Sequence, residues 1–233
     1  MPKNILFLPS EIIIIIYNYL CNKSTQRLFS ILCNSIQNLI RENKIYTTEI
    51  KIKEIVLSID LLKWAQVNGY NFNIKTSAYI AEYGNLDILK WIRKNKCPWN
   101  AIVCENAAKG GHLKVLQWAR ENECPWNKTV CAYAAKNGHL NILKYLRLHG
   151  CPWDKMTCAH AALNGHLETL KWARENGCPW DEDTSAYAAF NGQLEVLKWL
   201  WSQNCPMNKG IYTNAVYNGH LDVLKWAREK GFP

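Results

Sequence analysis

No apolar run in this chain approaches the length that a membrane-crossing helix needs. The longest, Ile12 to Ile16, is far below the roughly 20 residues required, and no membrane association is expected. A cleaved leader is not expected either: Pro9, Ser10 and Glu11 interrupt the apolar stretch after Lys3, and no clean small-residue cleavage site follows. A Gly-rich phosphate loop, a nucleophile elbow and a His-Glu-x-x-His pair are all missing, so the chain lacks the phosphate cradle, activated serine or zinc-holding helix that those motifs build. Ten cysteines are present, yet none forms a short Cys-x2-4-Cys chelate, the usual start of a structural zinc site. These absences point away from an enzyme, a cofactor and a metal. Acidic side chains are also few. There are 19 Asp and Glu against 28 Lys and Arg, a net charge of +9, and the excess is local. Residues 90–150 hold 11 basic and 3 acidic side chains, whereas residues 151–233 hold 8 and 9.

What the chain has instead is a period of 27 residues. Cys97, Cys124, Cys151, Cys178 and Cys205 are each followed by proline, Gly84, Gly111, Gly138, Gly165, Gly192 and Gly219 share a second register, and Trp64, Trp91, Trp118, Tyr145, Trp172, Trp199 and Trp226 share a third. Repetition on this scale means units that cannot bury their own apolar face and must stack. Cys104, Cys131 and Cys158 form a second cysteine ladder. Equivalent positions in neighbouring units stand about 8 to 10 Å apart, beyond the roughly 7 Å Cα separation that a disulfide tolerates. Free buried thiols in a reducing, intracellular compartment are therefore expected.

Each unit reads as helix, turn, helix, so the fold class is an all-α helix-turn-helix solenoid. Asn73, Asn100, Asn127, Asp154, Asp181 and Asn208 precede the first helix as N-caps, whose oxygens accept from unpaired backbone N–H groups. The Gly84 ladder ends that helix, and Gly69, Gly150, Gly177 and Gly231 end the second in their units. Paired alanines such as Ala134-Ala135 let first helices approach closely. Leu113, Leu116 and Trp118, or Leu167, Leu170 and Trp172, are expected to form the apolar face of the second helix. Acid-to-lysine pairs three residues apart, Asp60–Lys63, Asp87–Lys90, Glu168–Lys171, Glu195–Lys198 and Asp222–Lys225, occupy its outer face.

The stretch Thr129 to Leu146, TVCAYAAKNGHLNILKYL, resembles the ankyrin repeat, and the resemblance runs from about residue 57 to the end. Ankyrin repeats have about 33 residues, so these units are short, like those of giant DNA viruses. The missing segment corresponds to the long hairpin fingers. Ala132 stands where the ankyrin pattern has histidine, and Cys-Pro-Trp replaces its Gly-Ala-Asp-Val stretch. The resemblance implies a protein-binding scaffold of six repeats over 73–233, after a degenerate first unit or cap at 43–72. Residues 1–42 do not share the period. Leu8-Pro9-Ser10-Glu11-Ile12 through Tyr19-Leu20 resembles an F-box, although the tryptophan frequent late in that motif is replaced here by Ile36. It implies docking to the Skp-type adaptor of a cullin ubiquitin ligase through Leu8, Pro9, Ile12, Ile16 and Leu20, in a host cytoplasm or nucleus. The alternative is a helical cap shielding the first repeat.

Recognition residues are sought where units differ. One slot in the first helix runs Tyr79, Asn106, Tyr133, His160, Tyr187, Asn214, and another runs Glu82, Lys109, Lys136, Leu163, Phe190, Tyr217. They offer the polar aromatics enriched at binding hot spots. Target-binding candidates are Tyr79, Asn106, Lys109, Tyr133, Lys136, His160, Tyr187, Phe190, Asn214 and Tyr217. The turn histidines His112, His139, His166 and His220 alternate with Asn85 and Gln193, which reads as hydrogen bonding rather than metal binding. Trp99, Trp126, Trp153 and Trp180 alternate with Phe72 and Met207, which reads as core filling rather than base stacking. Lys90, Arg93, Arg120, Lys144 and Arg147 make a basic stripe, a solvated face or a weak phosphate tracker. The final helix has no evidently polar face, which leaves self-association through that end open.

Overall fold

A computed structural model describes residues 59–67 and 71–231. The F-box-like segment, with Leu8, Pro9, Ile12, Ile16 and Leu20, lies outside the described residues, as does most of 43–72. The chain divides into two compact units, residues 1–71 and 72–233. Within the first, helix α1 spans Ile59–Val67 and contains Trp64, the first residue of the tryptophan register.

The second unit is a run of six helix pairs: α2 (Ile74–Tyr83) with α3 (Leu86–Lys94), α4 (Ala101–Gly110) with α5 (Leu113–Glu121), and α6 (Lys128–Lys136) with α7 (Leu140–Leu148). Then come α8 (Lys155–Leu163) with α9 (Leu167–Glu175), α10 (Glu182–Phe190) with α11 (Leu194–Ser202), and α12 (Gly210–Tyr217) with α13 (Leu221–Glu229). No strand occurs among the described residues, and the connections between pairs, such as 122–127, are too short for a hairpin finger.

Capping explains where each first helix starts. Asn100, Asn127, Asp154 and Asp181 each accept the N–H two residues on, at 3.0 to 3.2 Å, and Asn208 accepts from Gly210 at 2.8 Å. Asn73 forms a full capping box with Thr76. The other end is a Schellman turn: His139 N donates to Ala134 O at 2.9 Å and Gly138 N to Ala135 O at 3.1 Å, with Gly138 at φ 71°. Second helices close in the same way, Cys151 N donating to Leu146 O at 2.9 Å behind Gly150. Where glycine is missing, Lys96, Glu123 and Asn204 take the left-handed conformation at φ 54 to 65°, so this turn outweighs the Cβ penalty.

First helices of successive pairs pack directly on one another, and each second helix leans on the first helix of its own pair. The alanines permit this, since Ala107, Ala108, Ala134, Ala135, Ala161 and Ala162 are wholly buried. The buried stripe of the second helix departs from expectation. It consists of Val115, Leu116 and Ala119 in α5 and of Thr169, Leu170 and Ala173 in α9, whereas Leu113, Trp118, Leu167 and Trp172 are half-buried. At about 100° per residue, a side chain two positions beyond the stripe points away from it, and the tryptophan faces the connection between pairs instead. Of the five acid–lysine pairs, Asp60–Lys63, Glu168–Lys171 and Glu195–Lys198 close, at 3.5, 2.8 and 2.7 Å. Asp87–Lys90 and Asp222–Lys225 do not.

A Cβ placed on Gly138 lies 2.7 Å from His166 Nδ1, whereas one on Gly150, equally left-handed at φ 75°, meets nothing within 4 Å. Gly150→Ala is therefore expected to cost about 1 to 2 kcal/mol from backbone conformation alone, and Gly138→Ala about 1 kcal/mol more from the displaced ring. Denaturant unfolding of both variants, repeated with His166→Ala, checks this. The excess should vanish once the ring is gone.

Candidate interaction surfaces

The Cys-Pro-Trp connection is a closed joint. Each ladder thiol donates to the backbone carbonyl of the N-cap residue of its own pair: Cys97 to Asn73, Cys124 to Asn100, Cys151 to Asn127 and Cys178 to Asp154, at 3.3 to 3.4 Å, and Cys205 to Asp181 at 3.7 Å. Burial raises Cys97 and pushes Cys205 up to about 12, so these two thiols stay protonated and able to donate, whereas the neighbouring thiols of Cys104 and Cys158 lower Cys124 and Cys178. The two ladders also meet. Cys158 Sγ donates to the carbonyl of Cys178 at 3.9 Å, and the neighbouring thiols of Cys124, Cys151 and Cys178, then burial, hold Cys104, Cys131 and Cys158 up. In the first pair Ser77 takes the same place, its Oγ 3.1 Å from Cys97 Sγ. Comparing like with like along one ladder misses these contacts; the Ser77, Cys104, Cys131, Cys158, Ser185 series was the signal, since each is a small polar group twenty residues before a ladder cysteine. All eight described cysteines are free and buried.

Arginine completes the joint. Arg93, Arg120, Arg147 and Arg174 donate through Nη1 to the carbonyls of Cys97, Cys124, Cys151 and Cys178 at 2.6 to 3.4 Å. The same guanidinium groups lie over Trp99, Trp126, Trp153 and Trp180, at 4.1 to 4.5 Å from the ring centroids. Each of these tryptophans meets the ring of the next second helix edge-on: Trp99 with Trp118, Trp126 with Tyr145, Trp153 with Trp172, Trp180 with Trp199, centroids 5.7 to 6.4 Å apart. The loop rings are thus half-buried and already covered on a face, which leaves no open stacking platform. The basic stripe changes meaning with them: Arg93, Arg120 and Arg147 are parts of the joint, and Lys144 lies 5.9 Å over Trp172. Trp201 stands where the arginine would be and packs at 89° against Trp226.

The turn histidines hold carbonyls. His112, His139 and His220 approach the carbonyls of Glu82, Lys109 and Phe190 through Nε2 at 2.8, 3.2 and 3.0 Å. A carbonyl only accepts, so Nε2 carries the proton, and each ring satisfies a C-terminal carbonyl of the preceding first helix. No group of three or more His, Cys, Asp or Glu able to hold a metal occurs among the described residues. Charge also links neighbouring pairs: Lys128 reaches the N-cap Asp154 at 2.9 Å, Lys155 binds Asp181 and Asp183, and Lys109 binds Glu82 at 3.0 Å.

Both variable slots lie on a partly accessible side of the first helices. Tyr79, Asn106, Tyr133, His160, Tyr187 and Asn214 are half-buried. Asn106 donates to Ile102 O within its helix, and Asn214 to Ala186 O of the preceding first helix, both at 2.9 Å. In the second slot Lys109 is exposed, Lys136 and Leu163 are half-buried, and Phe190 and Tyr217 are 42% and 85% exposed. The row changes from charged to apolar along the stack. Phe190, Val216, Tyr217 and Leu221 place an exposed apolar cluster near the end of the described helices. His160 has a buried Nδ1 without a hydrogen-bond partner. Burial first, and Lys136 second, lower its pKa.

Two outcomes follow. Arg147→Ala should lose about 1 to 3 kcal/mol, since stacking and a carbonyl hydrogen bond go together, and Arg147→Lys should recover only part, because an ammonium lacks the flat fork. Urea unfolding beside Lys90→Ala, expected within about 0.5 kcal/mol of the parent, checks both. Because folding lowers the pKa of His160, the unfolded chain takes up more protons below about pH 6.5. The stability due to the neutral ring is present above that pH and is lost as pH falls towards the folded value. Thermal melts at about pH 7.5 and 5.5 should therefore show a smaller acid loss for His160→Asn than for the parent.

Residues 104–185 match the family model of ankyrin repeats, as three copies. Among solved structures, the human ASB11 ankyrin repeat domain is similar with a TM-score of 0.53 at 15% sequence identity, over 66% of this chain and 83% of that one. A search of the curated proteins gives no match. The all-α helix pairs described above have the ankyrin-repeat solenoid fold, and the matched ankyrin repeats indicate a protein–protein interaction scaffold.

Proposed function

We propose that this chain is a target-recruiting adaptor. Its first-helix face holds a protein target, and its F-box-like segment docks the Skp-type adaptor of a cullin ubiquitin ligase through Leu8, Pro9, Ile12, Ile16 and Leu20. The observation that carries the target-binding half is the division of labour between slots. Cysteine, arginine, tryptophan and turn histidine are each consumed by intramolecular contacts, whereas the residues that vary from pair to pair lie on a partly accessible side of the first helices. Partly exposed side chains rich in tyrosine suit recognition of a protein surface. The ligase half rests on the resemblance of Leu8 to Leu20 to an F-box. A phosphate-tracking role has less support, because Arg93, Arg120 and Arg147 are held on tryptophan rings.

Affinity purification of the tagged, intact chain from its natural host cells, read by mass spectrometry, separates the two halves. Leu8→Asp with Ile12→Asp should lose the ligase subunits and keep the target. Tyr133→Glu with Phe190→Asp should do the reverse, with the helical melting curve preserved. Retention of both sets of partners by both double variants would overturn the adaptor reading.

A further inference from the structure

The chemistry of the first-helix face specifies its occupant more closely, given the target-binding reading above. Along the second variable slot, Lys109 is neutralised by Glu82, Lys136 has no carboxylate partner among the described residues, and Leu163, Phe190 and Tyr217 then follow as a half-buried to strongly exposed apolar row. Beside it, one helical turn away, runs a row of polar tips: Asn106, Tyr133, Tyr187 and Asn214. The amide nitrogens of Asn106 and Asn214 are occupied by backbone carbonyls, which leaves their oxygens, with the phenols of Tyr133 and Tyr187, as hydrogen-bonding groups on these half-buried side chains. An apolar row for side chains flanked by a polar row suits a backbone whose own N–H and C=O groups need partners. A helix satisfies those groups internally; an extended chain does not.

We infer that this face takes an extended polypeptide segment in the polyproline II conformation, carrying one carboxylate over Lys136 and a series of apolar side chains over Leu163, Phe190 and Tyr217. The register follows from two spacings. Neighbouring first helices stand about 8 to 10 Å apart, and a polyproline II chain advances about 3.1 Å per residue with three residues per turn, so one pair corresponds to one turn of ligand and every third side chain returns to the same face. The segment therefore reads as an acidic residue followed at about every third position by an apolar one, acidic-x-x-apolar-x-x-apolar-x-x-apolar, in either chain direction. Charge complementarity at a single lysine sets its position, because Lys109 is already paired and no other cation belongs to the row.

Panning a library of random linear peptides on the intact chain tests this. Enriched peptides should show the acidic residue and the three-residue apolar spacing. The best one, synthesised with a fluorophore, should lose at least about tenfold in affinity by anisotropy on Lys136→Glu. Replacing its acidic residue by lysine should restore binding to the Lys136→Glu chain, a rescue that a merely unfolded variant cannot show. Phe190→Asp should abolish binding, and Lys90→Glu on the outer face should leave it unchanged. Peptides that bind this face with apolar residues at helical spacing, or without a carboxylate, would overturn the inference while leaving the scaffold reading intact. If nothing linear binds and the target captured from cells is still lost on Tyr133→Glu with Phe190→Asp, the face recognises a folded surface, and the inference fails alone. Loss of neither is the failure of the scaffold reading itself.

Discussion

Everything in the stack depends on the joint that closes each helix pair. A 27-residue unit with two short helices cannot bury its apolar face alone, and tying the exit of its second helix back to the entrance of its first holds its shape. The ladder cysteine makes that tie through its thiol and the N-cap carbonyl. Proline after it keeps the chain extended, and the tryptophan next in line is clamped between an arginine and the ring of the following pair. One short motif thus ends a unit, starts its successor and joins the two.

Because the repeated residues are committed in this way, the chemistry expected of them elsewhere is withdrawn. Thiols that look like metal ligands are hydrogen-bond donors, histidines that look like a ladder of bases hold helix-terminal carbonyls, and arginines that look like a phosphate stripe are stacked on indoles. What remains for a partner is the set of first-helix positions that vary from pair to pair and stay partly exposed. Their gradient from charged to apolar gives the first-helix face a direction and a preferred end.

Several of these features were legible before any coordinates. The caps were, since Asn or Asp followed by a helix-forming run has one favourable use. So were the left-handed turns, the close-packed alanines and the hydrogen-bonding role of the turn histidines. The direction of Trp118 and Trp172 was not, because a pattern of apolar residues in a nine-residue helix fits two stripes and only the placement of the joint chooses between them. The meeting of the two cysteine ladders was hidden for a related reason: Cys104 and Cys124 are twenty residues apart in the chain, and only the folding of one pair upon itself brings them together. The ion pair between Lys128 and Asp154 explains why some N-caps are aspartate: a lysine in the preceding unit faces them.

By itself the sequence determined the unit, its length and where its helices start and stop, because these are set by local capping, turn geometry and periodicity. Only the tertiary structure decided which repeated side chains are spent on the joint and which stand clear of it. That division depends on contacts between successive units, and no spacing within one unit contains them.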